Sequence, residues 1–154
     1  MKFLCDEMLG RLARWLRLLG LDVAYVQHVD DATLLRVAEV EGRFLLTRDE
    51  ALAAAAGPER ALRVHALEPD AQLREVALAL GLRPDPALLL SRCSLCNASL
   101  LAATRAESEG HVPPWVWEAH EPSWRCPGCG KFYWRGTHTA RIEDVLRSLD
   151  ERAP

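Results

Sequence analysis

Short apolar segments alternate with helix-forming segments through residue 81, and this alternation limits the possible folds more than any other feature of the chain. The strand-like segments are 2–5, 22–26, 43–47 and 61–67. The segments between and after them repeat apolar residues at helical spacing, and Gly20, Gly42 and Gly81 end three of them. Four successive β-α units predict an α/β fold whose parallel sheet has helices on both faces, joined by right-handed crossovers.

The composition is that of one globular protein without a membrane segment. The chain has 154 residues, of which 49% are hydrophobic and 27% are charged. Its apolar stretches fall short of the run of about 20 residues that crosses a bilayer. Met1-Lys2 leads directly into the first strand instead of a signal peptide. We therefore expect a soluble cytoplasmic protein that does not bind membranes.

Charge is distributed unevenly along the chain. The net charge of -3 argues against attraction of nucleic acid to the whole surface. Residues 122–142, however, contain four basic residues and neither aspartate nor glutamate. This segment is the first place to look for a contact with a polyanion.

Two Cys-x-x-Cys pairs, separated by 29 residues, predict a metal site. Cys93, Cys96, Cys126 and Cys129 can supply the four thiolates of a tetrahedral structural zinc site. Disulfides or a redox-active pair are the alternatives, but neither explains the duplication in a chain that reads as cytosolic. Because the spacer is long for this motif, we expect a hairpin or loop inserted within it.

A change of composition divides the chain into two predicted domains. The β-α pattern breaks at Arg83-Pro84-Asp85-Pro86. Residues 1–86 are predicted to form the α/β domain, and residues 87–154 a small zinc ribbon with a closing helix. That helix is amphipathic over 142–149 and should dock the ribbon onto the rest of the protein.

Three aspartates are placed to meet at one edge of the predicted sheet. Asp6 ends the first strand, Asp31 opens the helix after the second, and Asp49 ends the third. In open α/β sheets, ligands bind at the carboxyl ends of the strands. Hard carboxylate oxygens suit Mg²⁺ or Mn²⁺, which can activate a water for attack on a phosphodiester. Alternatively, each aspartate only caps the helix that follows it.

Sequence segments along nearly the whole chain resemble the Mut-seven C-terminal RNase family. They are 3–20, 31–38, 42–49, Cys93-x-x-Cys96-Asn97 and the segment 126–138. The resemblance implies a PIN-like (Rossmann-like) sheet flanked by helices, followed by a zinc ribbon and a C-terminal helix. It also implies a metal-dependent ribonuclease whose acidic centre maps to Asp6, Asp31 and Asp49. PIN nucleases often use a fourth acidic residue, for which Glu50 and Asp30 are candidates.

The implied reaction is hydrolysis of RNA assisted by a metal ion. Asp6 and Asp49 would hold Mg²⁺ or Mn²⁺, and Asp31 would complete the shell directly or through water. A metal-bound water would attack phosphorus, so no side-chain nucleophile is needed.

Basic and aromatic residues form two candidate contacts with RNA. Arg11 and Arg14 lie on the helix after Asp6, where they could contact phosphates or simply face solvent. In the ribbon the candidates are Arg125, Lys131, Trp134, Arg135 and His138. This mixture suits single-stranded RNA, whose bases stack on aromatic rings. About half of the aromatic residues of the ribbon are expected to pack its small core instead.

Two other functions remain open at this point. A non-catalytic nucleic-acid-binding adaptor would use the aspartates only as helix caps. A phosphohydrolase of another α/β family would also place acids after strands, but the chain lacks an Asp-x-Asp after the first strand.

Overall fold

The computed structural model describes residues 1–83 and 85–150. Pro84, within the predicted break, and residues 151–154, at the end of the predicted second domain, lie outside the described residues.

The predicted four-stranded parallel sheet is confirmed. Its strands are β1 (Lys2–Cys5), β2 (Asp22–Tyr25), β3 (Phe44–Thr47) and β4 (Ala61–Arg63), in the order β2-β1-β3-β4. Leu4 pairs with Ala24 of β2 on one side and with Leu45 of β3 on the other. Because β1 and β3 are neighbours, the residues that follow them emerge side by side.

The fourth strand is shorter than predicted because its continuation bonds to a side chain instead of a strand. The carboxylate of Glu75 accepts hydrogen bonds from the backbone N–H groups of His65 and Ala66, at 2.9 and 2.8 Å. This carboxylate takes the place of a neighbouring strand for residues 65 and 66, which the sequence pattern had included in β4.

Helices alternate with the strands as predicted. They are α1 (Gly10–Leu18), α2 (Asp31–Glu41), α3 (Glu50–Ala56) and α4 (Pro69–Leu80), and a single 3-10 turn, Glu7–Leu9, precedes α1. The inner face of α1 buries Leu12, Ala13 and Leu16 against the sheet. Gly42 follows α2 at φ +60°, a left-handed conformation that glycine adopts at little cost.

A second, antiparallel sheet lies in the part of the chain that carries the cysteine pairs. Its strands are β5 (Leu101–Ala102), β6 (Ser123–Arg125) and β7 (Phe132–Trp134). Two short helices, α5 (Arg105–Ser108) and α6 (Pro114–Glu118), fill the connection between β5 and β6. The expected insertion is therefore a hairpin with a helical connection. Residues 91–136 are called the ribbon below.

The closing helix, α7 (Thr137–Asp150), begins five positions before its predicted start at Ile142 and packs against α4. Its buried face carries Ile142, Val145 and Leu149. One hydrophobic cluster joins Phe3 and Leu16 of the first part to residues of the ribbon and α7. The domain boundary near residue 86 remains a prediction.

The ribbon attaches to the end of α1 and the start of β2. The guanidinium of Arg17, a residue only 6% exposed, donates to the carbonyl oxygens of Val23, Ser94 and Leu95 at 2.8 to 3.0 Å. The side chain of Asn97 accepts from the Val23 N–H at 3.1 Å and donates to Asp22 at 2.9 Å. These contacts place the ribbon beside α1, near the edge of the sheet where β2 begins.

Within the described part of the chain, no helix combines the length and the apolar character needed to cross a membrane.

Candidate functional site

Asp6 follows β1 and is held by three donors. Its carboxylate accepts from the N–H of Met8 at 3.0 Å, from the N–H of Arg48 at 3.3 Å and from the hydroxyl of Thr47. The residue is 6% exposed. Because a carboxylate has about four acceptor positions, one remains for a further ligand.

Asp49 follows the neighbouring strand β3 and is joined to Asp6 through Thr47. The N–H of Asp49 donates to the Thr47 hydroxyl oxygen at 2.9 Å, and that hydroxyl donates in turn to Asp6. The Asp49 carboxylate caps α3 by accepting from the N–H of Leu52 at 2.8 Å. Thr47 is fully buried, so this connection is sheltered from water.

Asp31 takes no part in the hydrogen bonds that connect Asp6 and Asp49, and the prediction that it caps α2 is wrong. The cap is Asp30, which has an extended backbone and accepts from the Thr33 N–H at 2.7 Å. Asp31 is the first residue of the helix and is exposed. The oxygens of Asp6, Asp31 and Asp49 do not all lie within 4.8 Å of one another, and among the described residues only the four cysteines form such a set.

The two candidates for a fourth acidic residue have other partners. Glu50 forms an ion pair with Arg63 at 2.9 Å, and Asp30 caps α2. Asp6 and Asp49 are the two predicted site residues that are connected by hydrogen bonds, through Thr47. Their hard oxygens and remaining acceptor positions fit a divalent cation such as Mg²⁺.

The four cysteines fit a zinc ion. The Sγ atoms of Cys93 and Cys129 are 3.5 Å apart, and those of Cys96 and Cys126 are 3.4 Å apart. A tetrahedron with Zn–S bonds of about 2.3 Å has edges of about 3.8 Å. The Cys96 N–H points at Cys93 Sγ, and the Cys129 N–H points at Cys126 Sγ, so each pair forms a tight turn around its first sulfur.

The surroundings of Cys93 favour its thiolate form. Burial alone would raise the pKa of Cys93, but hydrogen bonds from the Tyr133 hydroxyl and from the amides of Leu95 and Cys96 outweigh it and lower this pKa to about 6. The Tyr133 oxygen lies 3.1 Å from Cys93 Sγ. The thiolate is the form that binds zinc.

A groove of about 550 Å³ runs between α1 and the ribbon. The groove is lined by Arg11, Arg14, Trp15 and Leu18 of α1, by Leu90, by Ser94, residues 131–134 and Gly136 of the ribbon, and by residues 137–139 at the start of α7. Five of the predicted RNA-contacting residues line it, namely Arg11, Arg14, Lys131, Trp134 and His138. The structure thus brings together residues more than 100 positions apart in the chain.

The other two predicted RNA-contacting residues lie outside the groove and have acidic partners. Arg125 pairs with Glu107 at 3.1 Å, and Arg135 pairs with Glu143 at 3.7 Å. Sequence reasoning missed Trp15 as a lining residue. Its spacing of four from Arg11 places it on the same helix face as Arg11, and that spacing was the available signal.

Comparisons with known proteins give one family and one relative. The family model described as Mut7-C RNAse domain matches residues 1–146. The exonuclease mut-7 homolog of Homo sapiens is 36% identical over 101 residues, which cover 62% of this chain and 12% of that protein. The chain thus spans only a small part of this curated relative. No solved structure matches the chain.

Proposed function

Because this chain belongs to the Mut7-C RNAse domain family, we propose that it is a metal-dependent ribonuclease whose reaction takes place at the Asp6–Asp49 edge of the parallel sheet. The family and the exonuclease relative support a nuclease-type role. The observation that carries the proposal is the buried Thr47 hydroxyl, which connects the Asp6 carboxylate to the backbone N–H of Asp49, which follows the adjacent strand, at the edge where such sheets bind ligands.

The residues of this edge have separable roles in the proposed reaction. Asp6 and Asp49 would hold the cation, and Thr47 fixes the Asp6 carboxylate in place. A Mg²⁺ or Mn²⁺ ion bound there would supply an activated water and neutralise the charge that develops on the phosphodiester. Asp31, exposed in the first turn of α2, is proposed as an outer member of the site, and Glu50 and Asp30 as part of the surrounding negative charge.

The rest of the chain is proposed to hold RNA and to keep its shape. A zinc ion at the four cysteines would be structural, because four protein ligands leave it no open position. The ribbon, together with Arg11 and Arg14, would assist the binding of single-stranded RNA. The cytoplasm is the proposed compartment, since thiolate sites of this kind need reduced cysteines.

Asp→Asn variants test the role of charge without removing the helix caps. Asparagine caps helices about as well as aspartate, so Asp49→Asn keeps the hydrogen bond that caps α3 but loses a negative charge. Asp6→Asn keeps the bond to the Met8 N–H but loses one of the two acceptor oxygens, the one that faces Thr47 and Arg48. We expect each variant to lower the rate of cleavage of a labelled single-stranded RNA in Mg²⁺ or Mn²⁺ by at least about 100-fold. The thermal unfolding midpoint of Asp49→Asn should stay close to that of the parent, whereas Asp6→Asn should unfold at a lower temperature because two donors lose their acceptor.

Asp85 offers a matched control. Like Asp6, it precedes a short 3-10 turn and accepts a hydrogen bond from the N–H two residues later, that of Ala87, at 2.8 Å. Asp85→Asn should leave cleavage unchanged. Full activity in both Asp6→Asn and Asp49→Asn would contradict the proposed active site.

A non-catalytic RNA-binding adaptor is the second candidate. The observation in its favour is that Asp6 and Asp49 already serve as caps, and that the oxygens of the three aspartates do not all lie within 4.8 Å of one another. The adaptor function predicts RNA binding with no cleavage in Mg²⁺, Mn²⁺ or any other divalent cation. Cleavage by the parent that is lost in the two Asp→Asn variants would exclude it.

A further inference from the structure

The groove between α1 and the ribbon concentrates positive charge. Arg11 and Arg14 come from α1, and Lys131 comes from the turn before β7. Among the lining residues that the structure describes, there is no aspartate or glutamate. A groove of this kind is complementary to a ligand with several negative charges.

Among the described residues, these three cations form no ion pair, whereas eight arginines do. Over residues 1–83 and 85–150, ion pairs engage Arg43, Arg60, Arg63, Arg92, Arg125, Arg135, Arg141 and Arg147. None of the ion pairs found there involves Arg11, Arg14 or Lys131. The charge of the groove is therefore available to a ligand.

Two tryptophans offer aromatic surface from opposite walls. Trp15 of α1 and Trp134 of β7 are both half-buried, so part of each ring faces the groove. The rings of Phe132 and Tyr133, which also line the groove, already contact other residues of the protein. Phe132 stacks on His111 with ring centres 4.6 Å apart, and Tyr133 is buried beside Cys93.

The orientation of Trp15 is supported from outside the groove. The guanidinium of Arg141, on α7, lies 5.6 Å from the centre of the Trp15 ring, within the range of a cation–π contact. Arg141 is itself paired with Asp70 of α4 at 3.3 Å. A ring held in this way loses little freedom when a ligand stacks on it.

The groove leads along α1 towards the acidic edge. The 3-10 turn capped by Asp6 runs directly into α1, whose second residue is Arg11, and Leu18 lies at its far end beside the ribbon. The helical rise separates Arg11 from Leu18 by about 10 Å. A single-stranded RNA lying in the groove would therefore have one end close to the proposed active site.

We propose that this groove binds one or two unpaired nucleotides of the RNA substrate, with a base against Trp15 and Trp134 and with phosphates at Arg11, Arg14 and Lys131. The inference rests on the proposed function, which makes RNA the ligand. A cavity of this size accepts a ligand about as large as a small drug. Because bases inside a duplex are stacked on each other, only an unpaired strand can offer a base to the tryptophans. The groove thus selects single-stranded RNA.

The test measures binding separately from cleavage. The Asp49→Asn protein, with all 154 residues, loaded with zinc and without added Mg²⁺, is titrated into a fluorescein-labelled 12-nucleotide oligouridine, and fluorescence anisotropy is recorded at constant salt. Trp134→Ala and Arg14→Gln, made in this background, should each weaken binding by about tenfold. Trp134→Phe, which keeps an aromatic ring, should restore most of the affinity.

Two variants elsewhere provide matched controls. Trp115→Ala removes a tryptophan that is 54% exposed on α6 and outside the groove. Arg36→Gln removes an exposed arginine from α2, with the same change of net charge as Arg14→Gln. Both should bind like the Asp49→Asn parent. Equal losses in the controls and the groove variants, or no loss in either, would overturn the proposal.

Duplex RNA and photocrosslinking provide readouts that do not depend on the stability of any groove variant. A 12-base-pair adenosine–uridine duplex should bind the Asp49→Asn protein at least about tenfold more weakly than the single strand. A 4-thiouridine oligonucleotide should crosslink to peptides from α1 and β7. Equal duplex affinity, or crosslinks confined to other elements, would contradict the inference.

Failure of this inference can be told apart from failure of the proposed function. If the Asp→Asn variants lose cleavage but the groove variants bind RNA normally, the proposed ribonuclease function stands and the proposed RNA site in the groove is rejected. Lost binding in the groove variants without cleavage in any divalent cation would support the groove and reject the ribonuclease.

Discussion

The guanidinium of Arg17 donates a hydrogen bond of 3.0 Å to the carbonyl oxygen of Ser94, 77 residues further along the chain. Ser94 lies inside the first cysteine pair, so this bond joins the end of α1 to the proposed zinc site. Arg17 also donates to Val23 at the start of β2. One buried side chain therefore fixes the ribbon against the parallel sheet.

Replacing Arg17 with lysine should destabilise the whole protein. Lysine keeps the charge but cannot reach three carbonyl oxygens with a planar fork, so buried acceptors would lose their donors. We expect Arg17→Lys to lower the free energy of unfolding in urea by about 2–4 kcal/mol. Arg36→Lys, at an exposed position of α2, should change it by less than about 0.5 kcal/mol.

Removal of zinc should unfold the ribbon. Cys93 and Cys126 belong to the same buried cluster as Leu16 and Ile142, so loss of the metal would also loosen the main core. Structural zinc in small domains contributes about 10–16 kcal/mol of apparent binding energy, which exceeds the usual stability of a domain. A chelator should release one zinc per chain, measured with a colorimetric indicator, and lower the melting temperature. An unchanged melting temperature after complete zinc release would contradict this.

Thr47 should act as a positioning residue for Asp6. Thr47→Val keeps the shape of the side chain but removes the buried hydroxyl that links Asp6 to the Asp49 N–H. We expect the affinity for Mn²⁺ and the cleavage rate to fall about 10-fold to 100-fold, as happens when outer-shell partners of metal ligands are removed. Thr47→Ser retains the hydroxyl and should recover both. Loss of stability without loss of Mn²⁺ affinity would assign Thr47 a structural role only.

Acid should weaken the attachment of the ribbon through Asp22. Burial alone would raise the pKa of Asp22, but hydrogen bonds from Arg43 and Asn97 and the charge of Arg92 outweigh it and hold this pKa below its usual value. A carboxyl with a lowered folded-state pKa contributes stability that is complete above its unfolded-state pKa, about 4, and is lost as the pH falls through the folded value.

Urea unfolding between pH 2.5 and 6 can measure this contribution. The parent should lose stability below about pH 4 more steeply than Asp22→Asn, which has no carboxyl to protonate. Asp144→Asn, at an exposed position of α7, should follow the parent. Parallel profiles for the parent and Asp22→Asn would show that Asp22 does not couple folding to pH.

The fold could be predicted because its signals are local. β1 has the predicted bounds, since its apolar run is terminated by Asp6-Glu7. The prediction of a metal site at the four cysteines needed only the spacing of the two Cys-x-x-Cys pairs. The early start of α7 was missed because its first turn, including Thr137 and His138, is polar and lacks the apolar spacing that marked residues 142–149.

The candidate site was harder to predict because it depends on side-chain partners. Asp30 and Asp31 are adjacent in the chain, and backbone conformation alone decided which of them caps α2. The pairing of Arg125 with Glu107 depends on the helical connection between β5 and β6, which the sequence pattern did not specify. Whether a cation is paired within the protein or available to RNA is a long-range property of the fold.

The docking of α7 on α4, with Arg17 fixed to the cysteine turn, has a consequence for protein engineering. We expect that the ribbon cannot simply be exchanged for the zinc module of another protein. The replacement would have to fit the end of α1 and the start of β2, and its closing helix would have to pack against α4. Affinity for RNA in this scaffold is therefore better altered by point changes along the existing walls than by transplanting whole modules.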